Sequence, residues 1–188
     1  MSEDAGASRR ALLGRAGAAL ASVGALTLAG CGSAAAPQPM PPADVAQRDL
    51  ALLTEPLALE RRTVAAYVAG IPLLSHPQRI TARQFLNEDL EHVGELLSLM
   101  RSLGGHPGLR PNSFQLGRPQ DAAEVLELWH ELESALVGMY LRTIPQLSPG
   151  PLRAAVASIL TVDAQHVSLL RLQQGRVPVP SALVTAAE

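Results

Sequence analysis

At 188 residues and 47% hydrophobic content the chain has room for one domain with its own core, and with only 3% aromatics that core is packed by aliphatic side chains. Fifteen basic residues, all of them arginine, against seventeen acids give a net charge of −2, and no basic cluster occurs beyond Arg9-Arg10, which argues against nucleic-acid binding. A single cysteine rules out a disulfide framework.

Residues 1–30 read as an export signal. Ser8-Arg9-Arg10-Ala11-Leu12-Leu13 resembles a twin-arginine motif. The Ala/Gly/Leu run from Ala16 to Ala29 is 14 residues, too short to span a bilayer as a helix. Leu28-Ala29-Gly30-Cys31 resembles a lipobox, in which the cysteine is acylated and becomes the new N-terminus. Cys31 would then join the chain to membrane lipid, on the outer face of the cell membrane or the periplasmic membrane surface. Residues 31–43 are rich in Pro and Ala and read as a solvated tether.

Four amphipathic helices are expected over residues 44–175. The first runs from about Asp44, as N-cap, to Gly70, with a kink or break at Pro56. The second follows Ser75-His76-Pro77 and stops at Gly104-Gly105. The third opens on Asp121-Ala122-Ala123-Glu124, a capping-box pattern, and ends near Pro145. The fourth follows Ser148-Pro149-Gly150-Pro151 and closes at Gly175, leaving a tail at residues 176–188. Nothing reads as a sheet. Short links make hairpins of helices one and two and of three and four. Residues 105–120 can span about 53 Å when extended, against about 37 Å for a 25-residue helix. That link can run the length of the bundle, so an all-α four-helix bundle with one long crossover is expected.

The two hairpins repeat each other. Glu60 precedes Tyr67 by seven residues, and Glu133 precedes Tyr140 by the same seven. Glu60 lies 29 residues before Asp89, and Glu133 lies 30 before Asp163. Asp89 and Asp163 are each followed three residues later by a histidine, His92 and His166. At helical spacing these six ionisable residues interrupt apolar stripes, where bare charge is too costly to bury. They either hydrogen-bond one another and the tyrosines across the core or hold a metal. Carboxylates with imidazoles suit iron, manganese or zinc rather than magnesium or calcium. Tyr67 and Tyr140 are placed to hydrogen-bond ligand carboxylates. His130, one turn before Glu133, is either a further ligand, a support to the ligands, or a surface residue.

With these residues in view, the helical region resembles the ferritin-like superfamily, and within it the exported ferritin-like proteins that include desiccation-related proteins. The resemblance rests on Leu52 to Glu60, on Phe85 through His92 to His106-Pro107, and on Leu132-Glu133 through Tyr140 to Ile144-Pro145. It implies a metal set of Glu60, Asp89 with His92, Glu133, and Asp163 with His166. Asp stands in this chain where the superfamily has the Glu of each Glu-x-x-His pair. Asp is shorter by about 1.5 Å, which puts bridging of two ions in question and leaves dinuclear, mononuclear and metal-free sites open. Glu88 and Glu91 point elsewhere around the helix and cannot take over. The resemblance implies iron or manganese and an oxidoreductase acting on oxygen or peroxide at the cell envelope. The alternative is a metal-free structural or stress-protection bundle. A hollow iron-storage shell is not expected of a chain tethered to lipid.

Overall fold

Four helices form the regular structure of residues 41–182, the part of the chain described by the computed structural model. They are α1 (Ala43–Gly70), α2 (His76–Ser102), α3 (Ala122–Thr143) and α4 (Pro151–Gln173), with no strand among the described residues. Single 3₁₀ turns at Ile71–Leu73 and Ile144–Gln146 extend α1 and α3. Arg9, Arg10, Cys31, most of the tether and residues 183–188 lie outside the described residues. No described helix is long and apolar enough to cross a membrane.

Helix boundaries follow local chemistry. α1 is capped two residues earlier than expected, at Pro42, whose carbonyl accepts from Ala46 N at 2.9 Å. Asp44 is therefore not the cap. It sits in the first turn, where a negative charge suits the helix dipole. Pro56 does not break α1, which continues to Gly70. The apolar stripe is buried on both sides of it, at Leu53 and Leu57, and this packing outweighs the roughly 3 kcal/mol cost of an interior proline. α3 is capped as its sequence suggests: Asp121 accepts from Glu124 N at 3.0 Å. The reciprocal bond from Glu124 reaches one residue further back, to Gln120 N at 2.7 Å.

The crossover is traced by its contacts along α1. Gly105 lies against Leu50, too close for any Cβ at that position. Arg61 Nη1, further along the helix, donates to Gly108 O at 2.9 Å. Leu116 packs on the cluster that contains Ala66 and Trp129. The link thus passes from the start of α1 to its end, and α3 starts beside Gly70. A Cβ on Gly70 would lie 2.7 Å from Val125 and 2.8 Å from Trp129, so this crossing of α1 and α3 requires glycine. The helices close in a ring, α1 to α2 to α4 to α3, with α2 and α4 the loosest pairing.

Both hairpin turns use one device. After Ile71-Pro72-Leu73-Leu74, Arg79 Nε donates to Leu74 O at 2.8 Å and Nη2 to Pro72 O at 3.4 Å. After Ile144-Pro145-Gln146-Leu147, Arg153 Nε donates to Leu147 O at 3.1 Å and Nη2 to Pro145 O at 3.3 Å. The arginine follows its leucine by 5 residues in the first turn and 6 in the second. The extra residue falls at Ser148-Pro149-Gly150-Pro151, where Gly150 takes φ +118°, and it accounts for the unequal spacing of the two repeats. Buried Asp49 anchors this second turn by accepting from Ser148 N at 3.2 Å.

The core is in two pieces. One apolar cluster gathers Ala66, Tyr67, Phe85, Val125, Trp129 and Leu170. The other gathers Leu53, Leu57, Leu96, Leu136, Tyr140 and Val156. Between them in sequence, on all four helices, lies a buried polar layer.

Candidate metal centre

That layer is made of the six residues singled out by the repeat. Glu60 comes from α1, Asp89 and His92 from α2, Glu133 from α3, Asp163 and His166 from α4. The four carboxylates have no solvent exposure, and His92 and His166 are 7% and 1% exposed. The i, i+3 spacing brings each Asp and His to one face of its helix.

Two tyrosines cross between α1 and α3. Tyr67 Oη donates to Glu133 Oε1 and Tyr140 Oη donates to Glu60 Oε1, both at 2.7 Å. The antiparallel run of the two helices makes this exchange reciprocal. Each bond holds one oxygen of a glutamate and leaves the other, Oε2, without a partner.

Donor atoms converge in two groups, within which all ligand atoms lie within 4.8 Å of one another. One group is Asp89, Glu133, Asp163 and His166, and the other is Glu60, His92 and Asp163. Asp163 belongs to both, so its shorter side chain does not keep it from either. His92 Nδ1 lies 3.2 Å from Asp163 Oδ1, 3.6 Å from Glu60 Oε1 and 3.8 Å from Asp89 Oδ1. His166 Nδ1 lies 3.2 Å from Glu133 Oε1 and 3.6 Å from Asp89 Oδ1.

Apart from the His166 Nδ1–Glu133 Oε1 hydrogen-bond contact at 3.2 Å, these atoms face one another without satisfying one another. Glu60 Oε2, Glu133 Oε2, both oxygens of Asp89 and of Asp163, and His92 Nδ1 are buried with no hydrogen-bond partner. Groups of this kind are almost always paired in folded proteins. His166 sharpens the point. Its Nε2 is 2.7 Å from Glu88 Oε2, and an imidazole that donates there turns its Nδ1 lone pair toward Glu133 and Asp89. Lone pairs that converge in this way require a cation among them, either protons or a metal.

The protons of the metal-free layer reflect the same crowding. Burial, then the charges of Glu133 and Glu60, push Asp89 well above the usual carboxylate range. Burial and then Asp163 do the same to Glu133. Burial raises Asp163 to about 6, with nearby His92 holding it back. For His92 burial is the largest single influence and favours the neutral ring, yet Asp163 and Glu60 together outweigh it and raise the histidine to about 10. Burial, then the neighbouring Glu133 and Glu60 respectively, push Tyr67 and Tyr140 well above the phenol range, so both remain O–H donors.

Two further residues stand beside these groups. His130 is buried but belongs to neither donor group. Its surroundings are Arg176, Glu127, Arg171 and Glu131, and burial together with Arg176 lowers its pKa. Glu88 is not among the converging donors, yet it holds the outer nitrogen of His166 while Phe85 stacks on the ring at 4.2 Å. The position just before Asp89, one step around the helix toward α4, was the available signal.

Comparison with known proteins agrees with the four-helix fold. No functionally curated protein matches the chain. A conserved hypothetical protein from Mycobacterium tuberculosis superposes with a TM-score of 0.66 at 17% identity, over 73% of this chain and 97% of the other. A ferritin-like, diiron-carboxylate protein from Bacillus anthracis superposes with a TM-score of 0.63 at 18% identity, over 69% of this chain and 96% of the other. The model of the ferritin-like domain matches residues 48–176, and the chain belongs to that family.

Proposed function

We propose that Glu60, Asp89, His92, Glu133, Asp163 and His166 hold two transition-metal ions, iron or manganese, in an oxidoreductase that acts on dioxygen or peroxide at the cell envelope. The observation that carries this reading is the set of buried, partnerless carboxylate and imidazole atoms in two groups that share Asp163. Donors of this mixture favour first-row transition metals over calcium or magnesium. The diiron-carboxylate description of the Bacillus anthracis protein supports the same class of ion.

When bound, such ions supply redox change to oxygen or peroxide. The chain's own residues do the rest. Tyr67 and Tyr140 hold Glu133 and Glu60 in orientation, Glu88 fixes the His166 ring, and the two apolar clusters keep bulk water from the layer. Location rests on the sequence: the Arg9-Arg10 motif and Cys31 support export and a lipid anchor.

Metal analysis of the purified protein and of the Glu60→Ala/Glu133→Ala variant tests the centre. Bound iron or manganese in the first and none in the second is the expected result. A metal-free wild type whose unfolding temperature ignores added Fe(II) and Mn(II) would replace the reading with a hydrogen-bonded stress-protection bundle. For the anchor, Cys31→Ala should free the protein from the membrane fraction, and Arg9→Lys/Arg10→Lys should block export.

A further inference from the structure

The two repeats match at every candidate ligand but not at the residue before each aspartate. Glu88 precedes Asp89, whereas Val162 precedes Asp163. The difference shows at the histidines. His166 has Glu88 2.7 Å behind its Nε2 and Phe85 stacked on its face, and its side chain is 2% exposed. His92 sits in the wall of a groove of about 420 Å³ between α2 and α4, among the exposed α2 acids Glu91 and Glu95 and the α4 residues Ser158, Ile159 and Val162, and no α4 side chain takes the place that Glu88 holds behind His166. The donor groups are unequal too: Asp89, Glu133 and Asp163 surround His166, against Glu60 and Asp163 around His92.

We infer that the centre has two subsites of different strength, loaded in order. The His166 subsite binds its ion first and tightly, and the His92 subsite binds the second ion weakly and exchanges it through the α2–α4 groove. This rests on the metal reading proposed above and adds the asymmetry to it. The physical basis is twofold. An additional carboxylate raises the attraction for a divalent cation. A carboxylate behind a ligating imidazole fixes its tautomer and ring and raises its basicity, and loss of such a partner typically lowers metal affinity about 10–100-fold. Glu88 is thus a positioning residue for the tight subsite, and Val162 marks the absence of its counterpart.

Equilibrium titration of the metal-free protein with Mn(II), followed by electron paramagnetic resonance of free and bound ion, reads both constants. Wild type should bind two ions with constants at least about 10-fold apart. Glu88→Gln should weaken the tight ion about 10–100-fold and leave the weak one nearly unchanged, while Glu88→Asp should retain part of the difference. Val162→Glu, which places a carboxylate in the groove beside His92, should strengthen the weak ion and bring the constants together. Chelator should strip the second ion from wild type much faster than the first. Two equal constants in wild type, or a tight ion indifferent to Glu88→Gln, would overturn the inference while the metal reading stands. Failure to bind Mn(II) and Fe(II) at all would overturn both. Because Glu88 is one-third exposed, folding of its variants can be checked by circular dichroism without confusion with the site.

Discussion

Burying the acids of the polar layer should leave a signature in the metal-free protein that inverts when metal is added. Asp163 illustrates the size. Its carboxyl is raised from 3.8 to about 6 in the folded chain, a difference worth about 3 kcal/mol in full. The sign follows from linkage: the folded state holds the proton more tightly, so stability is greatest below the unfolded value. It falls as pH rises from about 4 through about 6. Between pH 5 and 7 Asp163 alone accounts for about 1 kcal/mol, or about 4 °C for a domain of this size. His92, raised to about 10, acts in the same direction: its contribution is complete below about 6.5 and lost as pH rises toward 10. Asp89 and Glu133, also raised, add to the trend. Thermal unfolding in excess chelator should therefore give a midpoint that falls steadily from pH 5 to pH 8. Bound metal needs deprotonated ligands, so with Mn(II) present the midpoint should hold or rise over that range. At pH 7 and a hundredfold excess over its Kd the gain should be about 3 kcal/mol. Asp163→Asn removes a donor common to both groups and one buried charge. It should match or exceed wild type in chelator and gain nothing from metal. A chelated wild type whose midpoint rises between pH 5 and 8 would refute the reasoning, because it would mean that the carboxylates are already satisfied.

Tyr67→Phe and Tyr140→Phe should each cost about 1–3 kcal/mol in urea unfolding, because a buried glutamate oxygen loses its donor. Gly70→Ala should destabilise by about 1–3 kcal/mol, since its Cβ would meet Val125 and Trp129, and the same measurement checks it. Asp49→Ala should cost about 1–3 kcal/mol by freeing the Ser148 N–H, and hydrogen exchange should quicken at that turn before any other.

Helices, hairpins and the crossover were legible because each depends on local signals: a capping aspartate at 121, Gly-Pro breaks at the turns, apolar periodicity between them. The six polar positions were legible because they recur at matched spacing in a stripe where charge is otherwise excluded. What could not be read was which neighbours meet across the bundle. That Tyr67 reaches Glu133 rather than the nearer-in-sequence Glu60 depends on α1 and α3 packing side by side. The link from Glu88 to His166 depends on α4 lying against α2. That Pro56 does not break α1 has a related reason, since its local cost is countered by packing that only the assembled bundle provides. His130 shares the i, i+3 spacing with Glu133, yet its place outside both donor groups depends on how α3 packs, which spacing alone does not give.

The crossover divides the chain into two hairpins, and neither holds a complete donor group. Asp89 joins three residues of the second hairpin, and Asp163 joins two of the first. A ribosome-bound chain can therefore display Glu60, Asp89 and His92 without offering any ion a finished nest. Both donor groups are complete only when α4 docks, so on the metal reading the ion available at that moment would be the one selected. If the twin-arginine reading holds and the protein leaves the cytoplasm already folded, the cytoplasmic metal pool would choose the tightly held ion at the His166 subsite, while the exchangeable one at His92 would answer to the metals outside.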